Sequence, residues 1–198
     1  MSKELSSSFF AGDAVEVAQK LLGKKIKCGN CEGIIVETEA YKRDPASHAY
    51  KITPRSEIML NTHGYVYVYV IYGMYHCLNF TTNEDDVGAV LIRAIEPTAG
   101  IEEMKVRRSK KRLDPSSLKL KDLCSGPSKL CDAFGIDKNN NALELGEEIQ
   151  IFDAKEILDL MIHATSRVGI TEGKELMWRF YIKGNEYISV KCKNESRA

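Results

Sequence analysis

The sequence predicts an α+β fold: a single mixed domain whose largely antiparallel, curved sheet is flanked by helices. Three observations predict it. Strand-like and helix-like segments follow one another without a regular β–α–β rhythm, which argues against a doubly wound parallel sheet. Cys28-Gly29-Asn30-Cys31 puts a two-residue turn of hairpin chemistry between two strand-like runs. No glycine-rich fingerprint for a dinucleotide or a nucleoside triphosphate is present. A chain of 198 residues holds one substantial core, or at most two small ones. We read it as one domain over 1–198, with 1–8 and 192–198 as flexible ends.

The elements follow in order. Asp13 can cap a helix over 13–22, with Val17, Ala18, Leu21 and Leu22 on one side and Gly23 as its stop. Lys25–Cys28 and Cys31–Tyr41 form the hairpin. Residues 42–63 carry Pro45, Pro54 and many polar side chains, and long loops of this kind are often functional. Residues 64–79, GYVYVYVIYGMYHCLN, hold five of the nine tyrosines and read as a strand. Gly73 breaks its alternation, and His76 to Thr81 begin the return. Gly88 to Ile95 form a more buried strand. Glu96-Pro97-Thr98 opens a helix that runs into the basic stretch. A helix over 125–135 has Ser125 as cap, Pro127 at its start, Leu130, Cys131 and Phe134 on its apolar side, and Gly135 at its end. Residues 147–152, 178–182 and 187–190 are later strands.

Composition bounds the function. With 43% hydrophobic and 28% charged residues the chain has the make-up of a soluble globular protein. MSKELSSSFF has no apolar leader core, and no apolar run reaches spanning length, so no membrane role is expected. The expected location is cytoplasmic: at the nucleoid in a bacterium, in the nucleus of a eukaryote. The six cysteines are scattered and read as free thiols of a reducing compartment. Cys28-x-x-Cys31 has no second close pair to complete a zinc site, and the Gly29-Asn30 turn explains its spacing without chemistry; a metal or redox role is the weak alternative. We expect no metal and no cofactor. Formal net charge is zero, which removes the simple polybasic argument for nucleic acid. Charge is uneven, however: residues 105–121 contain eight Lys/Arg and one acid, either a phosphate-contacting edge or a solvated face.

Two stretches can carry chemistry. Tyrosines side by side on a strand can form a platform on which a flat ring stacks, although alternating Tyr/Val also describes an ordinary half-buried strand. In Gly33 to Tyr41, GIIVETEAY, strand alternation puts Glu37, Glu39 and Tyr41 on one face and Val36, Thr38 and Ala40 on the other. A carboxylate beside an aromatic ring before a long loop suits a base and a platform; the competing reading makes Glu37 and Glu39 the wet face of an edge strand. His48 lies in the loop, and Asn79 closes the tyrosine run. Arg93 is a charge inside the apolar run VLIRAI, so it must point to solvent, to a partner acid or into a site.

Taken together, IVETEAY, SHAY, TPR, YVYVIYGMYHCLN, VLIRAIEP, LCSGPSKLC, RVGI and RFYIKG occur in one order with compact spacing. In this the chain closely resembles the alkyladenine (3-methyladenine) DNA glycosylase family, the alkylpurine-excising type without a helix-hairpin-helix. The resemblance runs from about Phe9 to about Val190. VETEAY, YVYxIYGMY and SGPSKLC are modest signals singly and specific in combination.

The resemblance implies a monofunctional hydrolase that flips alkylated or deaminated purines out of double-stranded DNA and cuts the N-glycosidic bond, leaving an abasic site. A catalytically silent damaged-DNA binding module on the same fold is the alternative. By resemblance, Glu39 is the general base that activates a water; strand alternation alone does not choose between Glu37 and Glu39. Tyr41 and Tyr69 correspond to the two walls of the base pocket, and His48 to a stacking and hydrogen-bonding partner. Asn79 matches the residue that crowds guanine's exocyclic amine, Tyr72 the wedge entering the minor groove, and Arg93 the arginine beside the reacting nucleotide. Tyr65, Tyr67 and Tyr75 are left to packing. A monomer is expected. The sequence departs from the family in its neutral charge and in Lys51-Ile52 after SHAY, so DNA backbone contacts are expected to rest on Arg55 and residues 105–121.

Overall fold

In the computed structural model, which describes residues 3–83, 86–109, 114–154 and 156–191, eight strands pair antiparallel in one curved, open sheet. The strands are β1 (Lys25–Cys28), β2 (Cys31–Tyr41), β3 (Val66–Ile71), β4 (Tyr75–Thr81), β5 (Ala89–Ala99), β6 (Ile149–Phe152), β7 (Ile162–Thr165) and β8 (Arg179–Ile182). Their order is β3-β4-β5-β2-β1-β6, with β8 on β2 and β7 outside β8. Strand β2 is therefore central. Its whole length pairs with β5, its first residues pair with β1, and Glu37 to Glu39 pair with β8. The edge-strand reading of Glu37 and Glu39 does not hold.

The helices among the described residues are α1 (Ala14–Lys20), α2 (Ile101–Ser109), α3 (Leu120–Leu123) and α4 (Pro127–Phe134). Helix α1 packs on β2 and β5, and α4 on β4 and β5. Phe10, Leu21, Ile26, Ile35, Phe80, Ile92, Leu130 and Phe134 are buried in the core between them. Each such side chain contributes about 1.5–3 kcal/mol of burial free energy, so this face anchors the sheet while the other builds the site.

Local chemistry explains most boundaries. Asp13 accepts the Val15 N–H at the start of α1. Cys28 and Cys31 are register partners across the Gly29-Asn30 turn, and the five described cysteines are free thiols. Cys192 lies outside the described residues, as do 193–198. Within the stretch expected to be a flexible N-terminal end, Leu5 N–H donates to the Ile151 carbonyl and Glu4 bridges Phe152.

Three expectations change. Glu96-Pro97-Thr98 does not open a helix: Glu96 pairs with Ile34 and Pro97 with Gly33, so β5 continues to Ala99 and α2 begins at Ile101. A register shift beside Pro97 accommodates its missing N–H. Gly126, not Ser125, caps α4, because the chain enters that helix at φ 147°, a region open to glycine alone. Tyr187 to Val190 are not a strand; this segment spends Ser189 on a buried carboxylate. In the basic segment, Lys105 and Arg107 reach acids of α2 itself and Arg108 reaches Asp132 of α4. Lys110, Lys111 and Arg112 lie outside the described residues.

Candidate active site

Antiparallel register lays one row of residues straight across the sheet: Tyr67 on β3, Asn79 on β4, Leu91 on β5, Glu39 on β2 and Arg179 on β8. Directly opposed residues project from the same face, here the face away from α1. Two bulges adjust the rows beside it. The register of β2 against β5 skips Val36 on one strand and Arg93 on the other. Val36 consequently joins Ala94, Tyr181 and Ile188 instead of sharing a side with Thr38 and Ala40, as alternation had predicted. The bulge at Arg93 leaves both Arg93 and Ala94 on the site face; re-aiming a side chain is a common use of such an irregularity.

Arg93 is thereby placed between the two glutamates. Its Nε donates to Glu37 Oε1 at 3.1 Å and its Nη1 to Glu39 Oε2 at 3.4 Å. Glu37 and Glu39 are both fully buried, yet their surroundings differ. Glu37 also accepts from Arg179 Nε at 2.7 Å, from Ser189 Oγ at 2.8 Å and from Ser189 N–H. These bonds tie it to β5, β8 and the segment at Ser189. Glu39 instead touches the wall of a cavity. Its Oε2 accepts from the Tyr41 hydroxyl at 2.8 Å, and its Oε1 from the Val168 N–H at 2.7 Å.

That cavity measures about 560 Å³ and is lined by Tyr41, His48, Arg55, Tyr67, Tyr69, Tyr72, Asn79 and the segment Val168 to Thr171, among others. Six of the eight residues singled out in the sequence thus meet around one space. Glu39 and Arg93 lie beneath it, and Glu39 reaches it through Tyr41 and Val168. His48 Nδ1 is 2.9 Å from the Tyr67 hydroxyl, and its ring meets Tyr69 edge-on at 4.7 Å. Asn79 donates its amide to the Tyr67 and Cys77 carbonyls, which aims its oxygen away from them. Arg55 donates to the Val70 carbonyl and lies over the Tyr69 ring at 5.4 Å, at the cavity rim.

Tyr72 is 82% exposed. Both Tyr72 and Gly73 have positive φ, at 53° and 71°, and Met74 N–H closes the turn on Ile71. A tight hairpin turn asks for this conformation, and glycine supplies it at no steric cost. Tyrosine in the left-handed region is a genuine outlier. The turn holds the ring clear of the sheet at the cavity edge, with Met74 and Tyr75 exposed beside it.

The family model for methylpurine-DNA glycosylase (MPG) matches residues 8–186. The chain belongs to that family. Three relatives named "Putative 3-methyladenine DNA glycosylase" give the scale of the likeness. That of Clostridium perfringens (strain SM101 / Type A) is 47% identical, covering 94% of this chain and 99% of its own. That of Alkaliphilus oremlandii (strain OhILAs) is 45% identical, covering 95% and 100%. That of Bacillus cereus (strain G9842) is 43% identical, covering 93% and 98%. A methylpurine-DNA glycosylase is an N-glycosyl hydrolase of DNA base repair, so DNA is its substrate. Among the described residues no helix is long and apolar enough to cross a membrane, and no cluster of three or more His, Cys, Asp or Glu could hold a metal.

The electrostatics of the candidate site follow from burial. Desolvation raises the Glu39 pKa above its ordinary 4.5, opposed by Arg93, the Val168 N–H and the Tyr41 hydroxyl. Desolvation and the neighbouring Glu39 carboxylate push Tyr41 well above 10, and burial raises Tyr67 to about 12. Both phenols are therefore neutral donors. Packing against its neighbours and the nearby Arg55 lower the His48 pKa from 6.5, so its ring is neutral at pH 7.

Two contributors were not anticipated. Tyr67 lines the cavity and holds His48; its shared face with Tyr69 was the available signal. Val168 acts through its backbone N–H, for which no side-chain signal exists.

Proposed function

We propose that this glycosylase flips an alkylated or deaminated purine nucleotide out of double-stranded DNA and releases the base by hydrolysis, with Glu39 as the base that activates water. The observation that carries this is the contrast between the two buried glutamates. Glu37 is held by Arg93, Arg179 and Ser189, none of which is among the lining residues, whereas Glu39 is bound to two groups of the cavity wall. Among the described residues Glu39 Oε1 accepts one hydrogen bond, leaving a lone pair that can take a proton from water.

A base inside a duplex is out of reach, and extruding it costs about a few kcal/mol. Tyr72, projecting from its strained turn, supplies a wedge that fills the gap and offsets part of that cost. Tyr41 and Tyr69 provide electron-rich faces. A purine made cationic by N3- or N7-alkylation gains about 0.5–2 kcal/mol from such faces, and it is a good leaving group. The Glu39 carboxylate then stabilises the positive charge that develops on the sugar. Asn79, on the cavity wall, would crowd an exocyclic amine, and Arg93 would serve the nucleotide on its DNA side. Among the described residues no lysine lines the cavity, which supports direct hydrolysis to an abasic site without a Schiff base.

The test is excision from duplex DNA carrying 3-methyladenine, hypoxanthine or 1,N6-ethenoadenine. Failure to release any of them overturns the proposal. The pH dependence follows by sign. Glu39 acts as base only when ionised, and its pKa is raised, so the single-turnover rate falls toward acid through a midpoint above 4.5. A limb at or below 4.5 would exclude Glu39 as the titrating base. Tyr72→Ser weakens binding to lesion duplex by about 10- to 100-fold, equivalent to about 1.4–2.8 kcal/mol of lost wedge. Because the side chain is exposed, folding stability changes by no more than about 0.5 kcal/mol unless the turn strain is relieved. Titration of fluorescent lesion duplex, beside a urea melt, checks both halves.

A further inference from the structure

Arg167 opens the motif Arg167-Val168-Gly169-Ile170, whose last three residues line the cavity. The arginine is buried, with 3% of its surface exposed. The guanidinium lies 4.7 Å from the centroid of the Tyr41 ring and 5.2 Å from that of Trp178. Nη1 donates to the Ala40 carbonyl at 3.1 Å and to Asp44 Oδ2 at 3.1 Å, and Nη2 donates to Asp44 Oδ1 at 2.6 Å. Asp44 in turn accepts the Ala46 N–H, at the start of the loop that carries His48. Ala40 stands between Glu39 and Tyr41, and its own N–H is bound by the Trp178 carbonyl.

We propose that Arg167 is a positioning residue of the glycosylase: it fixes the Tyr41 wall and the backbone at Ala40, and through the next peptide N–H it fixes the Glu39 carboxylate. The inference rests on the reading of Glu39 as base and Tyr41 as wall. Its physical basis is that a planar, forked cation can satisfy a carboxylate, a carbonyl and two ring faces at once, whereas an ammonium cannot. The bidentate pair with Asp44 ties the 42–63 loop to the loop beginning at Val168, and both loops line the cavity. Losing that tie lets Val168 drift from Glu39. The other groups that act on Glu39 are Arg93 from β5, Glu37 and Tyr41 from β2, Tyr69 from β3, Cys77 from β4 and, through Glu37, Arg179 from β8; Arg93 and the Tyr41 hydroxyl lower its pKa, as the Val168 N–H does. Removal of the Val168 N–H therefore moves the Glu39 ionisation upward.

The experiment compares wild type, Arg167→Lys, Asp44→Asn and Glu39→Gln in single-turnover excision at saturating enzyme across pH. Thermal melts and the emission of Trp178, the only tryptophan of the chain, serve as folding checks. Arg167→Lys and Asp44→Asn are expected to fold and to lose about 10- to 100-fold in rate, the scale of a small misplacement of reacting groups. Their acid limbs are expected to move up relative to wild type. An unchanged rate, or a lower rate with an unmoved limb, overturns the role of Arg167. Failure of both variants to fold assigns the residue to the folding core and overturns it as well. Full activity of Glu39→Gln overturns instead the active-site reading on which the inference rests; an inactive Glu39→Gln beside an unmoved limb in Arg167→Lys removes Arg167 alone.

Discussion

Glu39→Gln slows base release by about 10²- to 10⁴-fold in single-turnover excision, the range that a positioned general base supplies. The fold survives the change. Glutamine keeps the shape of the side chain and its oxygen can still accept from Tyr41 or Val168. Stability is expected to hold or rise, and the sign can be worked out. The folded state binds the Glu39 proton more tightly than the unfolded chain, because burial raises the pKa above 4.5. The group's contribution is fully present below 4.5 and is lost as pH rises through the folded value. At neutral pH the ionised carboxylate is therefore a burden, which the amide removes. A variant with undiminished excision, or one that melts well below wild type, would contradict this account.

Glu37→Ala has the opposite profile, although the residue is only two positions away. Glu37 sits between Arg93 and Arg179, at 3.1 and 2.7 Å, and all three side chains are buried. Truncation leaves Arg179 without its carboxylate and frees both donors of Ser189. Breaking a buried charge cluster from one side costs about 3–5 kcal/mol, a large share of the roughly 5–15 kcal/mol that holds a domain folded. Urea denaturation measures it. A loss under about 1 kcal/mol would mean that water or a rearranged Arg93 replaces the carboxylate. Together the two variants separate a glutamate that holds the sheet from a glutamate that faces the chemistry.

That separation shows where the sequence is mute. The ETE triplet puts both acids on one side of a strand, and in the structure both are buried on that side. Which one meets the cavity is settled by distant segments: Ser189 and Arg179 close on Glu37, and Val168 closes on Glu39. None of these is near residue 37 in the chain. Arg93 shows the same limit. A charge in VLIRAI had to point to solvent, to a partner acid or into a site, but the bulge that turns it toward the glutamates exists only in the pairing of β2 with β5. The tyrosine run was also divided incompletely. Tyr72 is exposed at the turn, and Tyr67, left to packing, does pack in a buried cluster but also lines the cavity and holds His48. Glu96-Pro97-Thr98 looked like a helix start because its local chemistry fits one, and strand pairing overrode that preference.

By itself the sequence determined the mixed fold, the hairpin at Gly29-Asn30, the helix that ends at Gly135, and six of the side chains that line the cavity. These are legible because turn chemistry, capping and apolar periodicity act over a few residues, and because the motifs keep their order along the chain. Only the tertiary structure decided that β2 is central, that Tyr67 to Arg179 form one row across five strands, and that Arg167 grips the backbone between Glu39 and Tyr41. The physical reason is common to all three. Burial, the pKa of a carboxylate and the aim of an arginine depend on what arrives from remote parts of the chain, and no local pattern records that.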